Sequence, residues 1–319
     1  MTSRSAEAIV KGDRPLASVV ICTRNRARSL ARTLDSLIAA APQTAEPWEL
    51  IVVDNGSSDA TPATVEGFAA RLPVRLVSQP VAGLSNARNA GVAAARGDYV
   101  LWTDDDVVVD PQWLAAWFGA FRSRPDDAVF GGRTEPCFEE PRQDWFVAGQ
   151  EHLQSLLAVR DADWREVNYD QMPWGLNYAI RTAEQRRHPY DPELGVAPGR
   201  RTGGEETAVI GAILAEGGTG SWVWDAKVFH MIPAERQTTA YIVSFYAAHG
   251  CTYPIGGLGG RRKALPAAIE TLAIALKTVW QARLQGKTDV AALVCYAMAK
   301  GSVARYLQGR ESWPKTSDS

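Results

Sequence analysis

With 319 residues the chain is long enough for two domains or one large one, and 46% hydrophobic against 22% charged residues is the composition of a globular protein with a sizeable core. That excludes a disordered chain and a small disulfide-stapled scaffold. The 34 basic and 36 acidic residues leave a net charge of −2, so nucleic acid is not an expected partner of the whole molecule. Cys22, Cys137, Cys251 and Cys295 are too scattered for a zinc or CxxC pattern, and a reducing compartment is expected. Met1 to Arg14 lacks the apolar core of a signal peptide, and no run of about 18 apolar residues suggests a membrane span. The expectation is a cytoplasmic protein, attached at most to the inner face of a membrane.

In chain order, Ala17–Cys22 reads as a short strand. A helix follows over Arg28–Ala40, with Leu30, Leu34, Leu37 and Ile38 at helical spacing. Strand Leu50–Val53, helix Thr61–Arg71, strand Val74–Val77, helix Leu84–Ala95 and strand Tyr99–Thr103 come next. Pro111 is expected to open a helix running to about Arg122, and Ala128–Phe130 to add a strand. This alternation predicts right-handed βαβ units and a mostly parallel sheet flanked by helices. After Gly132 the pattern fades into a Trp-, Pro- and acid-rich stretch up to about Pro198. Helix Thr207–Glu216, strand Trp222–Trp224 and helix Thr239–His249 follow.

Beyond Gly256–Gly260, read as a flexible linker, two amphipathic helices are predicted. One carries Leu265, Ile269, Leu272, Leu276 and Val279; the other runs from Val290 to about Leu307. Residues 261–310 hold nine Lys/Arg against two acids, a net +7 in a chain that is otherwise acidic. Such a tail suits either a membrane surface or a solvated helical cap on the rest of the protein.

Ligands of open α/β sheets bind beyond the carboxyl ends of the strands. Three polar clusters follow strands at one such edge: Thr23-Arg24-Asn25-Arg26, Asp54 through Asp59, and Asp104-Asp105-Asp106. Adjacent carboxylates repel, and a hard divalent cation shared with substrate phosphates gives a reason to gather three of them. The plainer alternative is an acidic turn that suits the next helix dipole. Asp54 directly after an apolar strand can accept from a nucleobase edge, while Asn55-Gly56-Ser57 reads as turn chemistry. Arg88, on the inner face of its helix, calls for an anion. Glu205 and Glu206 follow two glycines and offer either a general base or acids in the first turn of a helix. Among 11 tryptophans, Trp145, Trp164 and Trp174 lie between these motifs; sugar faces stack on indole, and ordinary core packing is the alternative.

SVVICTRNR, ELIVVDNGSSDAT, GLSNARNAG and YVLWTDDDVVVDPQWL, in that order, resemble a family 2 glycosyltransferase over residues 15–135. Later segments continue the likeness: Trp174-Gly175-Leu176-Asn177-Tyr178-Ala179-Ile180-Arg181, Gly203-Gly204-Glu205-Glu206-Thr207 and Val228-Phe229-His230. Cys22 stands where the family usually has Pro, and Glu206 where it usually has Asp. The resemblance implies the GT-A fold, with a nucleotide-sugar-binding half over 15–135 and an acceptor-binding and catalytic half over 136–255. The linker at 256–260 and the basic helical tail over 261–312 follow. It also implies transfer of a sugar from a nucleotide-diphospho-sugar to a sugar, lipid-linked or small-molecule acceptor, inverting by single displacement.

By the same resemblance Asp54 contacts the base of the donor, and Thr23, Arg24, Asn25, Arg88, Asp104 and Asp105 border nucleotide and diphosphate. Asp106 and Asp104 with His230 hold Mn²⁺ or Mg²⁺. Glu206 falls in the register of the catalytic base with Glu205 in support, and Trp174, Asn177 and Trp145 are candidate acceptor contacts. Without the resemblance, His230 reads as a half-buried polar residue at a strand end. Two other readings stay open: an inactive nucleotide-sugar- or sugar-binding module on this fold, and a sugar nucleotidyltransferase. The latter would want a Gly-rich loop after the first strand, and Cys22–Arg26 contains no glycine.

Overall fold

The computed structural model describes residues 14–160, 164–253 and 261–307. The linker expected at Gly256–Gly260 and the tail beyond residue 307 lie outside them. The chain forms two compact units. One comprises the residues up to Glu135 with Val159–Pro198 and Glu205–His230; the other comprises Pro136–Ala158, Gly199–Gly204 and the residues from Met231 onward. The catalytic half expected over 136–255 is thus shared between both.

The first unit is built on strands β1 (Ala17–Thr23), β2 (Trp48–Asp54), β3 (Val74–Ser78) and β4 (Tyr99–Asp104), interleaved with helices α1 (Ala27–Ala40), α2 (Thr61–Phe68) and α3 (Leu84–Ala94). Val, Ile and Leu fill β1 and β2 because both faces of the sheet are covered, so strand residues here are buried whichever way they point. Helix α1 buries Leu30, Thr33, Leu34, Leu37 and Ala40, the i, i+3, i+4 stripe its sequence shows. Three-residue strand β5 (Val107–Val109) precedes α4 (Trp113–Ser123). Pro111 lies in the turn before α4, where Asp110 Oδ1 accepts from Gln112 N at 2.9 Å.

Strand β6 (Val129–Phe138) is followed by short helices α5 (Asp144–Ala148) and α6 (Gln154–Leu157). Strand β7 (Asn177–Arg181) leads into α7 (Thr182–Arg187), the two-residue strands β8 (Val196–Ala197) and β9 (Arg200–Arg201), α8 (Glu205–Ala215) and β10 (Gly220–Ile232). The eight-stranded sheet has the order β3-β2-β1-β4-β7-β6-β10-β5. Its β3-β2-β1-β4 portion is parallel, and β7 adds antiparallel to β4, turning the sheet mixed where the sequence alternation fades. β6 and β10 run well past the predicted Ala128–Phe130 and Trp222–Trp224. Gly131-Gly132 looks like a turn, yet a Cβ on Gly132 would come within 2.4 Å of the Asn177 amide, so glycine keeps that strand in place beside a buried side chain.

In the second unit α9 (Thr239–Thr252), α10 (Arg261–Leu284) and α11 (Val290–Leu307) pack together. Backbone contact is close: a Cβ on Gly301 would meet Ala247 O at 1.9 Å. Among the described residues no helix is long and apolar enough to cross a membrane. Helix α10 buries alanines (Ala264, Ala268, Ala275); of the predicted stripe Leu265, Leu272 and Val279 are half-buried, while Ile269 and Leu276 are at least half exposed, as is Trp280.

Candidate active site

Strand register brings the polar clusters together. Thr23 lies beside Asp54, and Cys22 beside Asp104, so three strand ends share one edge. Antiparallel β7 starts at Asn177 opposite Thr103, which delivers the Trp174–Leu176 turn to that edge. His230, far along the chain, pairs with Val107 in the β10–β5 ladder and so arrives next to Asp106.

The acidic cluster is tied to the first loop. Thr23 Oγ1 donates to Asp105 Oδ2 at 2.6 Å, and Arg26 Nη1 lies 3.2 Å from Asp105 Oδ1 and 2.9 Å from Asp106 Oδ2. Thr23 and Asp105 therefore hold each other, and Arg26, absent from the expected site residues, bridges two of the three carboxylates. Only its place beside Thr23–Asn25 hinted at that role. Burial pushes the Asp104 carboxyl up to about 8, with Asp106 adding repulsion and Arg88 opposing it. Asn25, at φ 53°, accepts from Ser58 N at 2.7 Å and its own N–H donates to Ser57 Oγ at 2.8 Å, stitching the first loop to the second. Asp54 Oδ1 accepts from Ser57 N at 3.0 Å; Arg24 is exposed.

Hard oxygen donors and an imidazole suit Mg²⁺ or Mn²⁺. His230 Nε2 and Asp106 Oδ1 are 4.0 Å apart, a spacing at which both can reach one cation after small side-chain rotations. Among the described residues no three His, Cys, Asp or Glu side chains are grouped to hold a metal ion.

On the other side stands the acid pair that opens α8. Arg88 Nη1 is 3.1 Å from Glu205 Oε1 and 3.9 Å from Glu206 Oε2, and its Nη2 donates to Gly175 O at 3.3 Å. The guanidinium lies over the rings of Trp102, Tyr178 and Tyr190, 5.4 to 5.8 Å from their centroids. Behind it the Tyr178 and Tyr190 hydroxyls meet at 2.6 Å, and Tyr190 donates to Gln185 Oε1 at 2.9 Å. Arg88 is buried in this aromatic box and faces the acid pair. Gly175 leaves it room, since a Cβ there would sit 2.7 Å from Arg88 Nη2. Glu205 is buried and its Oε2 has no hydrogen-bond partner; burial, then Glu206, pushes its carboxyl up to about 7 against the pull of Arg88. The Glu206 side chain, 14% exposed, is the more open of the two.

The acceptor candidates fare differently. Asn177 is a correction: it accepts from Trp113 Nε1 at 2.9 Å and donates to Arg133 O and Ala226 O at 2.8 Å each, so its amide is consumed in joining strands. Trp174 donates to Val159 O at 3.1 Å, and the Arg160 guanidinium covers one ring face at 3.6 Å. Trp145 belongs to the second unit, edge-on to Phe146.

Residues 18–176 match the family profile described as "Glycosyl transferase family 2". The validoxylamine A glucosyltransferase of Streptomyces hygroscopicus subsp. jinggangensis is 37% identical over 178 residues, covering 50% of this chain and 42% of that protein. The succinoglycan biosynthesis protein ExoM of Rhizobium meliloti is 27% identical over 288 residues, covering 88% of this chain and 84% of that one. The chain spans less than half the length of several curated relatives it matches. Among solved structures, the mannosyltransferase PcManGT from Pyrobaculum calidifontis, in complex with GDP-Man and Mn²⁺, aligns with a TM-score of 0.52 at 18% identity, over 93% of this chain and 75% of that one. That likeness concerns the fold, which is GT-A.

Proposed function

The chain belongs to glycosyl transferase family 2, and from that premise we propose that it moves a sugar from a nucleotide-diphospho-sugar to an acceptor hydroxyl with inversion at the anomeric carbon. The observation that carries this is the meeting of Asp54, the Asp104–Asp106 cluster with His230, and the Glu205–Glu206 pair in one compact unit around the ends of β1, β2 and β4.

Asp54 and the Asn25–Ser58 stitched loops receive the base and ribose. Asp106 and His230, with Asp104, would hold Mn²⁺ or Mg²⁺, which when bound would offset the charge that builds on the departing diphosphate. Arg26 holds Asp105 and Asp106 in place. Glu206, the more open member of the pair, takes the proton from the acceptor hydroxyl as its oxygen bonds to the anomeric carbon. The bond from that carbon to the phosphate oxygen breaks, and its electron pair leaves with the nucleoside diphosphate. Glu205 is the anchor that keeps Arg88 beside Glu206.

A thermal-shift panel of nucleoside diphosphates and nucleotide-sugars, with and without Mn²⁺, tests this reading. A ligand at 100 times its Kd stabilises by about 2.7 kcal/mol, so the correct donor gives a clear metal-dependent shift. A chain that responds to no member of the panel, and turns over none with added acceptors, refutes it.

A further inference from the structure

Helix α10 packs inward with its alanines and half-buried Leu265, Leu272 and Val279, and leaves another apolar stripe outside. It turns Ala264, Ala268 and Ala275 inward and presents Ile269 (50% exposed), Leu276 (53%) and Trp280 (61%) to the outside. With the exposed Ala273, these residues are spaced four, three and four apart, and at 100° per residue they fall within an arc of about 60°. Leu284 (68%) lies at the edge of that arc and Ile274 (60%) well outside it. The spacing within the arc averages near 3.5, the repeat of two helices wound together, with Ala273 and Trp280 in one seam position and Ile269 and Leu276 in the other.

The charges beside the seam select the occupant. Glu270 and Lys277, both exposed, follow Ile269 and Leu276 directly, one heptad apart on the same flank. If a second copy lies antiparallel across a two-fold axis between residues 274 and 275, Ile269 faces the partner's Trp280 and Ala273 faces the partner's Leu276. Large then meets small at the centre. The same register sets Glu270 against the partner's Lys277, and symmetry repeats the pair on the other side. A parallel arrangement would bring this flank against the partner's Leu272 and Val279 side and match no charges.

We propose that the exposed face of α10 is a homodimer interface: an antiparallel two-helix seam of Ile269, Ala273, Leu276 and Trp280, with register fixed by two Glu270–Lys277 ion pairs between copies. This is independent of the transferase chemistry.

Sedimentation equilibrium of the full chain across the micromolar range tests it. A dimer is expected, and Glu270→Lys or Lys277→Glu should each weaken it by about tenfold or more, because each turns two attractions into two repulsions. Both changes lie on the exposed surface, and circular dichroism checks that the variants fold. Mixing the two single variants restores both ion pairs and should recover the dimer, as should the double variant Glu270→Lys/Lys277→Glu. A chain that stays monomeric, or a dimer indifferent to both reversals, overturns the proposal. So does a monomer that co-sediments with phosphatidylglycerol vesicles through the same face, which would make lipid the occupant.

Discussion

Replacing Arg88 by Met keeps the bulk of a side chain buried among Trp102, Tyr178 and Tyr190 but removes the cation. At 3.1 Å from Glu205 and an effective dielectric of about 20, the direct attraction is about 5 kcal/mol before desolvation is counted. Taking one partner from a buried pair costs about 3–5 kcal/mol, because the other charge is left without compensation. Here two acids lose their partner, Gly175 O loses a donor, and the three rings lose a cation. Arg88→Met should therefore lose at least about 3 kcal/mol of unfolding free energy, read by urea denaturation at mildly alkaline pH, above the value of about 7 at which Glu205 ionises. The pH dependence carries a sign. The Glu205 carboxyl is raised in the fold, so its favourable contribution is complete below its unfolded value and is lost as pH rises through about 7. Without Arg88 its pKa rises further, and stability should fall more steeply between weakly acidic and alkaline pH. The companion variant Arg88→Met/Glu205→Gln removes the orphaned charge and should recover part of the loss. A single-variant cost under about 1 kcal/mol, or a double variant that merely adds the two single losses, would refute the coupled buried pair.

Glu206→Gln keeps shape and removes basicity, so kcat should fall by about 10²–10⁴ with donor affinity nearly unchanged; an active Glu206→Gln beside a dead Glu205→Gln would make Glu205 the base. Asp106→Ala should abolish the effect of Mn²⁺ on nucleoside diphosphate affinity, measured by calorimetry with and without EDTA, and equal affinities in the native chain would exclude a shared cation. Asn177→Leu strands Trp113 Nε1 and two strand carbonyls at about 1–3 kcal/mol for each buried group left unpaired. It should therefore lower the melting temperature strongly, and a neutral result would return Asn177 to the acceptor candidates.

The strand-helix alternation from Ala17 to Thr103 could be read from the sequence because both faces of a parallel sheet are covered, so each strand is a plain apolar run. The polar residues directly after those runs lie together at one edge, since parallel strands carry their ends to one side. Elements whose sequence mixes polar and small residues stayed hidden: β6 looks broken by Gly131-Gly132, and β7 is too short to stand out. Their identity depends on what packs against them, as the Asn177 amide shows by filling the space over Gly132. In the sequence Arg88 and the Glu205–Glu206 pair stand as separate features. Only the fold joined them, because Tyr178 and Tyr190 from later segments close a box around the guanidinium and bury it against Glu205. Burial then decides which acid is an anchor and which stays open to solvent. The same holds for α10, where the sequence supplied an apolar stripe and packing on α11 determined that its alanines, rather than Ile269, Leu276 and Trp280, would face inward.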